Sequence, residues 1–180
     1  MSVIVVEFTT LDGVVEDPDG SAGTATGGWA FRHGPETVAG DKFRLGPLLD
    51  TGILLLGRTT WELFAKLWPG RSGEFADRLN AMPKLVASRT LADVTAWQNS
   101  ALLHGELTEA VAREERDVIV IGSIEVVRTL ARHDLVDEYR LLVCPSVVGE
   151  GRRFFEGVAH FRLVSCTQAG AGVLTTYRTR

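Results

Sequence analysis

The sequence predicts an α/β fold: a mainly parallel mixed sheet with helices on both faces and an antiparallel C-terminal edge. Strand-like apolar runs alternate with helical patterns over the first two-thirds of the 180 residues, the pattern of a parallel sheet covered on both sides. The last third reads strand–turn–strand, which pairs antiparallel. No linker, internal repeat or low-complexity tract divides the chain, so one domain over residues 1–180 is expected.

The elements follow in order. Val3 to Thr9 is β-branched and almost uncharged, a buried first strand. Leu11 to Gly34 is rich in Gly, Asp, Pro and Thr and reads as a long loop, the kind that binds ligands or acts as a lid. Glu36 to Leu49 carries a helical pattern that Gly46-Pro47 should kink or split. A strand over 53–56 and a helix over 59–67 come next, closed by Trp68-Pro69-Gly70. A helix over 72–81 has Ser72 placed to cap it, with Phe75, Leu79 and Met82 on one face. Strands are expected over 84–88 and 101–103, and an amphipathic helix over 106–115. The strand 118–121 and helix 123–132 repeat the strand–helix unit. A long strand over 139–148, carrying Pro145, precedes a closing pair over 161–167 and 173–179 that turns at Ala169-Gly170-Ala171-Gly172.

Composition limits the function classes. Hydrophobic content of 45% and charged content of 23% suit a soluble globular protein. A net charge of −4, with no long run of Lys or Arg, argues against nucleic acid and anionic membrane as partners. No apolar stretch is long enough to cross a bilayer, and no signal peptide is visible, so a cytoplasmic protein is expected. Cys144 and Cys166 show no metal-ligand spacing and read as two buried, reduced thiols. The four histidines are scattered, no zinc-deaminase signature occurs, and no metal is expected. A Walker phosphate loop and GxGxxG are both absent.

Twice an apolar strand runs into a glycine and then a helix start: Ile53-Leu54-Leu55-Leu56-Gly57-Arg58-Thr59-Thr60 and Val118-Ile119-Val120-Ile121-Gly122-Ser123-Ile124-Glu125. Unpaired N–H groups and the helix dipole make such a start receptive to phosphate. Arg58 adds a permanently charged planar fork. Two such turns fit a ligand with phosphates in two places, and NADPH is one.

These residues resemble a known family. Gly57-Arg58-Thr59-Thr60-Trp61-Glu62 after its strand resembles the cofactor motif of dihydrofolate reductases. The chain is still more similar to the reductase domain of the bifunctional riboflavin-biosynthesis deaminase-reductases, in a free-standing bacterial form. The supporting blocks are Phe8-Thr9-Thr10-Leu11-Asp12-Gly13, Gly27-Gly28-Trp29, Leu55 to Thr60, Ser88-Arg89-Thr90-Leu91 and Val120 to Ser123. Leu135 to Leu141, Pro145 and Gly149-Glu150-Gly151-Arg152-Arg153-Phe154-Phe155 complete them in order.

The resemblance implies a dihydrofolate-reductase-like sheet and NADPH as hydride donor. It places Arg58 at the 2′-phosphate, Thr59 and Thr60 at the pyrophosphate, and Ser88 and Arg89 beside the adenosine end. Gly122, Ser123, Ile124 and Glu125 cover the pyrophosphate from the other side. Dihydrofolate reductases have Gly-Gly where this chain has Gly122-Ser123, so Ser123 departs from that branch; its other reading is an ordinary helix N-cap. Asp41 stands at about the spacing from Gly57 at which a pterin-binding carboxylate stands in dihydrofolate reductases; the other reading is a solvated helix charge. Asp12, Trp29 and Phe31 are candidates for the substrate side, against a plain turn for Asp12 and packing for the two aromatics.

The implied activity is NADPH-dependent reduction of a small heterocyclic or ribosylamino-pyrimidine substrate, as in 5-amino-6-(5-phosphoribosylamino)uracil reduction. Alternatives are a dihydrofolate- or pterin-type reductase, or a non-catalytic nucleotide-binding dimer of the same fold. A homodimer is expected through the strand over 139–148 or its neighbours, because an apolar edge is usually covered.

Overall fold

A computed structural model describes residues 1–179. In chain order it contains β1 (Val3–Thr9), a 3-10 turn (Ala30–His33), α1 (Pro35–Val38), α2 (Leu48–Thr51), β2 (Ile53–Gly57) and α3 (Arg58–Leu67). Then come α4 (Glu74–Ala81), β3 (Lys84–Ala87), β4 (Ser100–Leu102), α5 (Leu107–Arg113), β5 (Val118–Ile121) and α6 (Ile124–Arg132). The chain ends with β6 (Glu138–Val143), β7 (Phe161–Ala169) and β8 (Gly172–Thr179). The strands form one mixed sheet in the order β4-β3-β2-β5-β1-β6-β8-β7. Strand pairing is parallel for β2–β3, β2–β5 and β3–β4, and antiparallel for β6–β8 and β7–β8. The α/β class with an antiparallel C-terminal edge is therefore observed.

Contacts group the chain into two compact units, Met1–Val5 with Leu45–Val136, and Val6–Arg44 with the chain from Asp137 onward. In the first, β2 and β5 are near-continuous aliphatic runs, and Leu54, Leu56, Ile119 and Val120 are fully buried. A strand buried on both faces demands this composition. The same unit holds a polar knot. Lys84 is 1% exposed on β3, and its ammonium donates to the carbonyls of Asn80 (2.9 Å), Met82 (2.7 Å) and Gln98 (3.1 Å). It also lies 4.3 Å from the centre of the Trp97 ring. Asn80 accepts Trp97 Nε1–H at 2.7 Å and donates to the Trp68 carbonyl. Burial pushes the Lys84 ammonium down to about 8, while three carbonyls and an aromatic face oppose that loss of charge.

In the second unit, β8 is sandwiched between β6 and β7. Ala169 pairs with Gly172, leaving a two-residue hairpin. Gly170, with φ +59°, supplies the left-handed first position such a turn needs. A Cβ there would stand 2.5 Å from Thr37 Oγ1, which itself accepts the Ala171 N–H. Glu138 is buried and holds Arg140 at 2.7 Å and Arg178 at 3.0 Å, which keeps its carboxyl below the usual range against the cost of burial.

Several expectations are corrected. The segment 36–49 is not one interrupted helix: α1 and α2 are four-residue pieces separated by bends and turns. α4 starts after Gly73, and no side chain caps it, so Ser72 plays no capping part. Cys144 is buried, but Cys166 is exposed on β7. The strand expected over 139–148 ends at Val143, just before Pro145, which lacks an N–H for the ladder. That strand, β6, lies inside the sheet and is not itself an edge; the edge strands are β4 and β7.

Lys84→Met keeps the stem of the side chain and removes the donor. Three inward carbonyls lose their partner, and urea denaturation should show a loss of about 3 kcal/mol or more. Unchanged stability would show that these carbonyls find other donors.

Candidate functional site

The sheet order places one site in the first unit. From β2 the chain moves outward to β3 and β4, then returns on the other side of β2 as β5. The reversal point of a parallel sheet lies between β2 and β5, and ligands bind outside the carboxyl ends of the strands at such a point. Gly57 ends β2, and Gly122 follows β5. The two strand–glycine–helix turns found in the sequence are therefore neighbours.

One residue ties them together. Ser123 accepts the Gly57 N–H on Oγ at 2.9 Å. Its own N–H donates to Thr60 Oγ1 at 3.0 Å, and its hydroxyl donates to the Ile121 carbonyl at 3.2 Å. To do this Ser123 adopts φ +56°, ψ +51°, directly after Gly122 at φ +60°. A left-handed conformation costs a non-glycine residue roughly 1 kcal/mol, and three hydrogen bonds offset that cost. Ser123 is not the N-cap considered as its other reading, because its hydroxyl meets no N–H of α6. Gly57 has ordinary extended backbone, φ −75° and ψ 161°. A Cβ there would make ordinary contacts, 3.4 Å from Val126 Cγ2 and 3.7 Å from Ser123, so the opposite turn packs closely against this position without requiring glycine.

The remaining residues predicted for the cofactor divide by what they already touch. Arg58 and Thr59 are exposed at the start of α3, a ten-residue helix with no side-chain cap and no acidic residue in its first turn. Arg58 donates to Thr90 Oγ1 at 3.2 Å, which aligns its guanidinium with the turn after β3. Arg89, in that turn, is exposed. Among the described residues neither Arg58 nor Arg89 meets a carboxylate. Ser88 is committed to its own turn, accepting the N–H groups of Thr90 and Leu91. Thr60 is committed to Ser123. The Glu125 carboxylate pairs with Arg128 at 3.1 Å, and Ile124 is half-buried; both offer an anion the N–H groups of the first turn of α6. Together these form a cationic lip over two helix starts.

The candidates in the second unit are arranged differently. Asp12 accepts Thr10 Oγ1–H at 2.6 Å and the Gly149 N–H at 2.8 Å; the Thr10 bond, then the Gly149 bond, hold its carboxyl below the usual range. It braces two loops. Trp29 is 1% exposed and donates Nε1–H to the Glu16 carbonyl, so it packs the loop and cannot form the stacking wall considered for it. Phe31 is 52% exposed. Asp41 lies in a bend, not on a helix, so the reading as a solvated helix charge does not describe it. The long loop is wound around Asp17, whose buried carboxylate accepts Ala22 N–H, Thr24 N–H and Thr24 Oγ1–H.

Glu7 was missed. It sits in β1 at 5% exposure, and its Oε1 accepts the Phe8 N–H at 2.9 Å. Burial pushes its carboxyl up to about 8, against the Phe8 bond and the charge of Lys42. The carboxyl is therefore neutral at pH 7 and able to give a proton. Thr9, two residues along and on the same strand face, lines an apolar hollow of about 210 Å³ with Leu11, Val15, Leu141, Val143 and Phe155. One acidic residue in the apolar run Val3–Thr9 was the available signal. Among the described residues, no cluster of His, Cys, Asp and Glu could hold a metal ion. No helix is long and apolar enough to cross a membrane.

Fold and site together define an α/β protein with exposed guanidiniums beside two helix starts at the switch point of a mostly parallel sheet. The chain belongs to the RibD C-terminal domain family, whose model matches residues 1–175. It is similar to the uncharacterized protein YyaP of Bacillus subtilis strain 168, with 24% identity over 183 residues, 96% of this chain and 91% of that one. Its fold matches a putative riboflavin biosynthesis protein from Shewanella sp. PV-4, with a TM-score of 0.76, 20% identity, and coverage of 100% of this chain and 99% of that one. It also matches Acinetobacter baumannii RibD, with a TM-score of 0.65 and 14% identity. There it covers 99% of this chain but 58% of the RibD chain.

The neutral Glu7 gives stability a pH signature. Between pH 4.5 and about 8 the unfolded carboxyl is ionised and the folded one is protonated. Folding then takes up a proton, so the Glu7 contribution falls as pH rises, by about 1.4 kcal/mol per unit. Glu7→Gln should remove that slope: the stability difference between variant and wild type should grow in the variant's favour from pH 5 to pH 8. Parallel curves by chemical denaturation would show that Glu7 ionises normally.

Proposed function

We propose that this protein is an NADPH-dependent reductase of a small heterocyclic or ribosylamino-pyrimidine substrate, the chemistry of the riboflavin-type reductase family it belongs to. The carrying observation is the pair of exposed guanidiniums, Arg58 and Arg89, which among the described residues meet no carboxylate, beside an uncapped helix start at the sheet's switch point. A dinucleotide with a 2′-phosphate matches that charge and spread. Arg58 and Arg89 would hold the 2′-phosphate and adenosine end. Thr59 and the first-turn N–H groups of α3 and α6 would hold the pyrophosphate.

When bound, the cofactor supplies a hydride, which requires neither a nucleophilic side chain nor a metal. The chain's own part is to orient the dinucleotide, exclude water and provide one proton. Family membership and the RibD-like fold support the reductase class. The ribosylamino-pyrimidine substrate is the reading favoured by that kinship, and deaminase chemistry is not assigned to this chain.

Titration calorimetry with NADPH and NADH tests the reading. NADPH should bind more tightly, and Arg58→Ala should remove most of the preference, about 1.5–3 kcal/mol for a charge-assisted contact. Equal affinity for both nucleotides in the wild type, or no binding of either, would contradict it.

A further inference from the structure

We infer that Ser123 is a positioning residue: it latches the β2–α3 turn to the β5–α6 turn, so that the two helix starts act on a dinucleotide as one rigid clamp. The inference rests on the NADPH reading for the ligand, and on the two hydrogen bonds of Ser123 for the latch. Ser123 contributes both ends of the bridge. Its hydroxyl takes the Gly57 N–H, and its N–H is taken by Thr60 Oγ1. The bridge spans more than 60 residues of chain, from Gly57 and Thr60 to Ser123, and its central residue is 9% exposed.

This changes what the two hydroxyls do. Side chains of Ser and Thr in such turns are natural partners for phosphate oxygens, yet the Ser123 hydroxyl is used within the protein both as acceptor and as donor. Thr60 Oγ1 only accepts there and keeps its O–H to donate; with it remain backbone N–H groups, the Thr59 hydroxyl and two guanidiniums. The left-handed conformation of Ser123 follows from this role. Glycine would reach the same φ without strain, but would give up the hydroxyl that holds Gly57. A serine here exchanges backbone ease for a cross-link between turns. Fixing the turns in advance raises affinity because less freedom is lost on binding.

Three variants test the latch: Ser123→Ala, Ser123→Gly and Thr60→Val. Two readouts are needed, hydrogen exchange of the Gly57 amide in the ligand-free protein and NADPH affinity by calorimetry. Both Ser123 variants should expose the Gly57 amide, raising its exchange at least tenfold, and should weaken NADPH binding about five- to tenfold, the loss of one or two neutral hydrogen bonds. Thr60→Val should weaken binding less, since Gly57 stays held. Ser123→Gly should melt at a higher temperature than Ser123→Ala, because it relieves the backbone strain, yet bind no better. A merely structural serine would make affinity follow melting temperature. Unchanged Gly57 exchange in Ser123→Gly would overturn the latch outright. Lost protection with wild-type affinity would overturn its positioning role. If wild-type protein binds no NADPH, the cofactor reading fails and the clamp with it, while rapid Gly57 exchange in the variants would still establish the cross-link.

Discussion

Everything proposed for this protein depends on how two strand ends are held side by side. A parallel sheet that reverses its winding direction must leave a crevice at the carboxyl ends of the two strands where the reversal occurs. Here those strands are β2 and β5, and each passes into a helix through a glycine. Geometry alone would leave two independent turns. Ser123 joins them through Gly57 and Thr60, at the cost of an unfavourable backbone conformation. The two turns are thus held together before any ligand arrives.

Charge pairing then decides which residues remain for a ligand. In the first unit most arginines near acids are paired: Arg78 with Asp50, Arg113 with Glu109, Arg116 with Glu114, and Arg128 with Glu125. Arg58 and Arg89 stand apart from this pattern. The second unit commits its polar groups to its own loops and strands. Asp17 organises the long loop, Asp12 braces the 148–149 turn, and Glu138 gathers two arginines. Glu7 is the exception there, a carboxyl with a single hydrogen-bond partner and a raised pKa.

Much of this was readable from residues. The aliphatic runs 53–56 and 118–121 could be little else than doubly buried strands, and the glycine and helix start after each were explicit. Arg58 was visible for the same reason. Ser123 reads from sequence as a cofactor contact or an ordinary helix cap, and nothing local announces a left-handed residue that ties one turn to another. Asp41 was placed on a helix because the apolar spacing from Val38 to Leu49 outweighed the breakers. Yet Gly40, Arg44 and Gly46 all have positive φ, and the helix breaks there. The strand after Tyr139 was drawn through Pro145, where loss of the N–H ends pairing. Trp29 shows a different difficulty: an aromatic in a polar loop reads equally as packing or as a stacking wall, and only the loop's own fold, wound on Asp17, decides for packing.

The most direct measurement is a two-dimensional amide NMR titration of the isotopically labelled protein with NADPH. The account predicts saturable shifts concentrated at residues 57–60, 88–90 and 122–125, with the guanidinium signals of Arg58 and Arg89 moving in step. Shifts centred elsewhere, or none at millimolar NADPH, would contradict the assignment of this crevice as the cofactor site.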